Sequence, residues 1–170
     1  MCVLFVTMSS FQIEKMYVQR QSEQGWVFYI FEQKMNSIDK QSPSKNIVYD
    51  YTYVEDKDSV SMLSTIVLRD VARPMKVVIA TERGIYDFEP EQIYVNTKGD
   101  KMVYRLKIGM PFNVWEKIYY SSTPFKLTYE FEREKDGLPL CFNFSNKKEW
   151  GSLRENMQKI LGLIKLNIKN

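Results

Sequence analysis

A stripe of large apolar residues with helical spacing runs along the end of the chain, and another part of the protein has to cover it. Residues 146–168 are therefore predicted to form an amphipathic helix, with Ser145 or Asn146 as its N-cap. At about 100° per residue the apolar side chains fall in a stripe roughly 100° wide, which the face of a β-sheet would cover most simply. The stripe consists of Trp150, Leu153, Met157, Ile160, Leu161, Ile164 and Ile168.

Most of the sequence before this helix alternates between apolar and polar residues, as half-buried strands do. The clearest example runs from Phe125 to Glu132, where four apolar residues alternate with lysine, threonine and glutamate. Residues 47–54, 59–69 and 101–108 also alternate and are predicted to be strands. An aromatic content of 14% favours β-structure as well, because aromatic rings fit a pleated, half-buried surface.

One internal segment departs from the strand pattern. Between Pro111 and Tyr120 the apolar residues are spaced by three and four, which predicts a short helix. The predicted fold is mainly β: an antiparallel sheet, sandwich or partial barrel of about eight strands, with this short helix and the long C-terminal helix packed on it. Residues 11–170 are interpreted as a single domain, since their number suits one hydrophobic core.

Some local patterns give narrower predictions. The apolar set changes parity at residues 14–15, which predicts a β-bulge there. Six apolar residues in a row at 26–31 predict a strand covered on both faces, and residues 36–46 are polar enough to predict an exposed loop. Pro74 is expected to interrupt a strand, and Cys141 is expected to be a buried, inert thiol.

The first ten residues allow two interpretations. Cys2–Val6 is apolar and is followed by small polar residues, as at the end of a secretory signal, but no basic residue precedes it. Residues 1–10 are therefore either a remnant of such a signal, in a secreted or periplasmic protein, or the frayed end or edge strand of a cytoplasmic one. No run in the sequence approaches the ~20 apolar residues of a membrane-spanning helix, so no transmembrane segment is predicted.

The composition restricts the chemistry that this chain could perform. It contains no histidine, which excludes serine–histidine and cysteine–histidine catalysis and histidine-ligated zinc. Glu130, Glu132 and Glu134 share the parity of an outer strand face, so they are predicted to be solvated rather than catalytic. We therefore expect no catalytic residue, metal ligand or cofactor, although a carboxylate- or lysine-dependent enzyme stays a third hypothesis. A net charge of +3 gives no indication of nucleic-acid binding.

The C-terminal segment carries the candidate partner-binding residues. From Ser145 onward it has six basic and two acidic residues, a net charge of +4, so the rest of the chain is about neutral. Leu163 and Leu166 lie off the apolar stripe and would be wet unless something covers them. Together with Lys159 and Lys165 they are predicted to form a surface for a protein partner. The main hypothesis is thus a non-catalytic accessory or binding module.

A ladder of tyrosines supports an alternative hypothesis. Tyr49, Tyr51 and Tyr53 occupy alternate positions of one predicted strand and share a face. Such rings could line a cavity and bind a small apolar or aromatic ligand, which would make the protein a carrier. The same spacing is also typical of ordinary cross-strand packing.

Overall fold

The fold is one antiparallel sheet with two helices packed on it. The computed structural model describes residues 13–23 and 25–168, and ten strands and two α-helices lie wholly within these ranges. The strands are β1 (Tyr17–Ser22), β2 (Gly25–Ser37), β3 (Asn46–Val54), β4 (Ser59–Leu68), β5 (Ala72–Thr81), β6 (Gly84–Phe88), β7 (Glu91–Lys98), β8 (Lys101–Pro111), β9 (Lys126–Arg133) and β10 (Pro139–Ser145). The helices are α1 (Phe112–Tyr119) and α2 (Trp150–Asn167). The predicted mainly β class with a C-terminal helix is confirmed.

Nine strands follow one another across the sheet in the order β6-β5-β9-β10-β2-β3-β4-β8-β7, and the sheet does not close on itself. The tenth strand, β1, lies off this path and pairs with the first part of β2, from Gly25 to Ile30. The far end of β2 pairs with β10 through two residues, Asn36 and Ser37. The strand β2 therefore joins two parts of the sheet, and β6 and β7 are the two ends of the nine-strand path.

The core forms because the inner face of the sheet is apolar along nearly every strand. In β3 and β4 every second side chain is buried, as strict alternation predicts. The inner face and both helices belong to one hydrophobic cluster. Side chains of α1 and α2 meet in it, and the rings of Tyr119 and Trp150 stack with their centroids 5.8 Å apart.

The apolar stripe of α2 is buried as predicted, but the helix starts later in the chain. Its six buried side chains are those of Trp150, Leu153, Met157, Ile160, Leu161 and Ile164. Ser145 ends β10 and donates a hydrogen bond to the carbonyl oxygen of Phe125, and the Asn146 amide donates to the carbonyl oxygen of Lys34. Both predicted cap residues are thus engaged with the sheet, and the N-cap is Glu149, without a side-chain capping bond.

Two strands differ from their prediction. The strand β2 continues from Gly25 to Ser37, so only residues 38–45 remain between β2 and β3. Val27 is buried, but Tyr29 and Phe31 on the same side are exposed, so residues 26–31 are covered on both faces only at the start of the run. Pro74 does not interrupt a strand. It lies inside β5 where the register to β9 shifts, which is a position that tolerates the missing N–H.

Two further predictions are wrong for local reasons. The parity change near residue 14 marks a turn in front of β1, in which the backbone N–H of Met16 donates to the carbonyl oxygen of Ile13. Cys141 is exposed, because its neighbours Phe142 and Phe144 take the inner face of β10. The two interpretations of residues 1–10 lie outside the described residues. Among the described residues, no helix combines the length and the apolar character that crossing a membrane requires.

Candidate functional site: an apolar groove beside the C-terminal helix

A groove of about 400 Å³ lies between helix α2 and the segment that leads into β1. Leu163 and Leu166 line its helix side. Ile13 and Tyr17 line the opposite side, where the turn before β1 brings them close to the helix. Leu166 has 64% of its surface exposed, so the groove is open to solvent at its most apolar point. We call it the α2 groove; its lining residues are Ile13, Glu14, Tyr17, Lys159, Gly162, Leu163 and Leu166.

Helical spacing explains why these residues share one face of α2. Lys159, Leu163 and Leu166 are separated by four and three positions, which places them in one row along the helix. Gly162 lies beside this row, and a Cβ atom added to it would have no heavy atom of the described residues within 4 Å, apart from those of its own helix backbone. The missing side chain therefore leaves room in the groove, at a position where glycine costs up to about 1 kcal/mol of helix stability relative to alanine.

The charges at the groove come from one residue on each side. Lys159 is exposed on the helix, and Glu14 is exposed at the turn before β1. Lys165 takes no part in the lining. Its ammonium group pairs with the carboxylate of Glu116 in α1 and lies 6.0 Å from the centroid of the Tyr120 ring. The hydrogen bond to Glu116 raises the pKa of Lys165. Three of the four predicted partner-binding residues thus come together, and the fourth ties α2 to α1.

The tyrosine ladder lies in the core rather than at a surface. The side chains of Tyr49, Tyr51 and Tyr53 are almost wholly buried. The ring centroid of Tyr51 is 5.3 Å from that of Trp115 in α1 and 6.2 Å from that of Tyr119. Aromatic side chains of α1 therefore occupy the space over the ladder, and none of the three tyrosines lines the α2 groove.

Several polar atoms are buried around this ladder. The hydroxyl of Tyr119 donates to the hydroxyl of Tyr51 at 3.1 Å. Three other buried polar atoms make no hydrogen bond of standard geometry among the described residues: the hydroxyls of Tyr49 and Tyr129, and Nε1 of Trp115. Each still has a polar neighbour: Tyr119 for Tyr49, Ser64 for Tyr129 and Tyr51 for Trp115. Burial raises the pKa of each of these four tyrosines above its ordinary value. They therefore stay protonated in the folded protein well beyond neutral pH.

A second recess has a different character. It has a volume of about 440 Å³ and lies between the loop after β2 and the turn between β7 and β8. Three lysines and one aspartate give it its charge, and the full lining is Pro43, Ser44, Lys45, Asn46, Val67, Lys98, Asp100, Lys101 and Val103. Its polar and mixed-charge lining distinguishes it from the α2 groove, whose walls are mainly apolar.

Sequence reasoning identified the helix side of the α2 groove but missed the opposite side. Ile13 and Tyr17 flank the turn, and the parity change in front of β1 was the available signal for it. Gly162 makes space in the groove, and the helical pattern gives no signal for that role. Among the described residues, no three His, Cys, Asp or Glu side chains are grouped closely enough to hold a metal ion.

No protein-family model, curated protein or solved structure matches this chain.

Proposed function

We propose that this protein is a non-catalytic binding module that takes an apolar segment of a partner protein into the α2 groove. The observation that carries the proposal is the open, mainly apolar groove in which Leu166 is largely exposed. Large side chains that remain exposed at the rim of a concave apolar surface are typical of protein interaction sites. The absence of histidine from the sequence supports a role in binding rather than in catalysis.

The charge around the groove indicates the chemistry of the partner. Lys159 is the basic residue on the helix side of its rim, Glu14 is the acidic residue on the opposite side, and the segment from Ser145 onward carries a net charge of +4. A partner segment with one or two large apolar side chains, and with an aspartate or glutamate on the side of Lys159, would complement the walls and the helix side of the rim. The acidic residues would increase the association rate and favour one orientation, while the apolar side chains would supply most of the affinity.

The groove can be blocked without adding charge. We expect Gly162→Leu to abolish the binding of peptides selected on the natural protein from a random library. An added Cβ would meet no heavy atom of the described residues outside its own helix backbone within 4 Å, so we expect the fold to tolerate leucine there. Isothermal titration of selected peptides against both proteins would measure the loss. The selected peptides are expected to combine large apolar residues with aspartate or glutamate.

Gly151→Leu is the matched control. Gly151 lies in the same helix, and an added Cβ would also meet no atom within 4 Å, but it does not line the groove. Both variants are expected to be at least as stable as the natural protein, because leucine is favoured over glycine by up to about 1 kcal/mol in a helix. Leu166→Glu is a second blocking variant at an exposed position. Peptides that bind all four proteins equally, or a library that yields no binder, would contradict the proposal.

A small apolar molecule is a second candidate for the groove. Its volume of about 400 Å³ is within the range of small-molecule sites, which is ~300–1,000 Å³. Native mass spectrometry of the protein purified gently from its own cells is then expected to show a small added mass. That mass should be missing from Gly162→Leu and present in Gly151→Leu. An added mass that both variants retain would place the ligand outside the groove, and the carrier function could not be assigned to it.

A further inference from the structure

The strand β7 is an edge strand that extends beyond the core. It pairs with β8 on one side, and it is the last strand in the order of the sheet. All eight of its residues are exposed. Among the described residues, no other strand or loop donates hydrogen bonds to its second side or accepts them from it. A row of unpaired backbone groups on such an edge is a template for another strand.

The side chains of β7 are unusually apolar for an exposed edge. Ile93, Tyr94 and Val95 are consecutive, and they leave 43%, 45% and 37% of their surfaces exposed. Because successive side chains point to opposite faces of a strand, both faces of β7 carry exposed apolar surface. Solvent-exposed edge strands usually carry charged residues or proline near their middle, and these residues prevent pairing with a strand of another chain. Here a register shift interrupts the strand at Ile93 and leaves Tyr94–Lys98 regular.

The backbone direction follows from the turn that ends the strand. Lys98 and Lys101 are register partners on either side of the two-residue turn Gly99–Asp100, and such a turn is closed by a hydrogen-bonded pair. Hydrogen-bonding direction alternates along an antiparallel strand. The N–H and C=O groups of Val95 and Thr97 therefore point away from β8, toward the free side.

The charge distribution selects the occupant of this edge. Glu91 begins the strand and Lys98 ends it. The Glu91 carboxylate pairs with the ammonium group of Lys107 in β8 at 2.9 Å, but its side chain stays 62% exposed and can also face a cation on the free side. In a second copy that pairs antiparallel about a two-fold axis at Val95, the acidic end of each strand lies beside the basic end of the other. Parallel pairing would bring like charges together. We propose that two copies of this protein associate through β7, which forms a continuous sheet across a two-fold axis.

Val95→Pro tests the proposal with little effect on the monomer. Proline removes an N–H that points to the free side, which an edge strand tolerates, so the β7–β8 pairing should persist. Sedimentation velocity over a range of concentrations is expected to show the natural protein shifting to twice the chain mass. The variant should need about tenfold or more higher concentration to associate, while circular dichroism and thermal unfolding of its monomer stay close to those of the natural protein.

Charge exchange provides an independent test. Lys98→Glu is expected to weaken association by placing two acidic ends together. Adding Glu91→Lys together with Lys107→Glu, which keeps an ion pair between β7 and β8, is expected to restore it. Hydrogen exchange should protect the amides of Val95 and Thr97 in proportion to protein concentration. Protection that does not depend on concentration would show that another part of the same chain covers the edge, and would overturn the proposal. A natural protein that stays monomeric, or a dimer that Val95→Pro leaves intact, would overturn it as well.

Discussion

Replacing Trp115 with alanine is expected to lower the free energy of unfolding by about 3–5 kcal/mol, which is a large part of the ~5–15 kcal/mol that a domain of this size has. Trp115 is wholly buried and connects helix α1 to the sheet. Its ring centroid lies 5.3 Å from that of Tyr51, 5.9 Å from that of Phe112 and 6.1 Å from that of Tyr119. Alanine would leave a cavity between these rings, and chemical denaturation would measure the loss.

Two further variants separate cavity formation from other effects. Trp115→Phe is expected to cost clearly less, because it keeps most of the ring volume and removes an Nε1–H that makes no hydrogen bond of standard geometry among the described residues. Ile85→Ala serves as the control at a side chain that is 73% exposed, and it should change stability by no more than about 0.5 kcal/mol. A small loss for Trp115→Ala would mean that α1 is not packed on the sheet in this way.

Alkaline pH is expected to unfold the protein cooperatively. Burial raises the pKa of the hydroxyls of Tyr49, Tyr51, Tyr119 and Tyr129, and it raises that of Tyr53 to about 12. In the unfolded chain these groups ionise near pH 10, so above that pH the unfolded state binds fewer protons than the folded state. These tyrosines therefore do not change the free energy of unfolding below about pH 10. Above pH 10 the free energy of unfolding falls as the pH rises toward the pKa values of the tyrosines in the folded protein.

The size of this effect follows from the number of tyrosines involved. Each one that stays protonated only in the folded state contributes about 1.4 kcal/mol per pH unit. Four fully buried tyrosines would give a slope of up to about 5 kcal/mol per pH unit, enough to unfold a typical domain within about one to three units above pH 10. Tyrosinate absorbance and circular dichroism, recorded together, should change at the same pH.

Tyr49→Phe is the informative variant for the alkaline transition. The Tyr49 hydroxyl makes no hydrogen bond of standard geometry among the described residues, and its interaction with the Tyr119 hydroxyl is correspondingly weak, so its removal should cost little stability at neutral pH. It should also reduce the dependence of the free energy of unfolding on pH above pH 10 by the contribution of one tyrosine, about 1.4 kcal/mol per pH unit. Tyrosinate absorbance that rises gradually near pH 10, well before the circular dichroism changes, would show that these hydroxyls are accessible to water.

The parts of the fold that the sequence predicts are those with one buried and one wet face. Helix α2 and the strands β3, β4, β8 and β9 each show their period in the sequence, because their buried residues recur on one side. The strand β6 was missed since it is a short edge strand without a buried side chain. The start of α2 was misplaced because Ser145 and Asn146 suit a cap equally well whether they bind a helix or the sheet.

The sequence predicts only one of the two sides of the candidate site. Helical spacing identified Leu163 and Leu166 as residues that the main stripe does not use. The opposite wall of the α2 groove comes from Ile13 and Tyr17, which are far away in the sequence and approach through tertiary packing. Tyrosines at every second position of a strand give the same sequence pattern whether they line a cavity or pack in the core. What distinguishes them is the position of α1 over Tyr51, which depends on the whole fold.

The junction at the end of β2 has a consequence for the order in which the protein folds. Strands β1 to β4 follow one another as neighbours and can form from local contacts, whereas the β2–β10 pairing joins distant parts of the chain. Ser37 and Asn143, which meet there, are 106 positions apart, and the carboxylate of Asp39 accepts a hydrogen bond from the backbone N–H of Asn143 at 2.8 Å. Closing so long a loop is entropically costly and slow. We expect this junction to form late, after the strands on either side, and to set the rate at which the native sheet is completed.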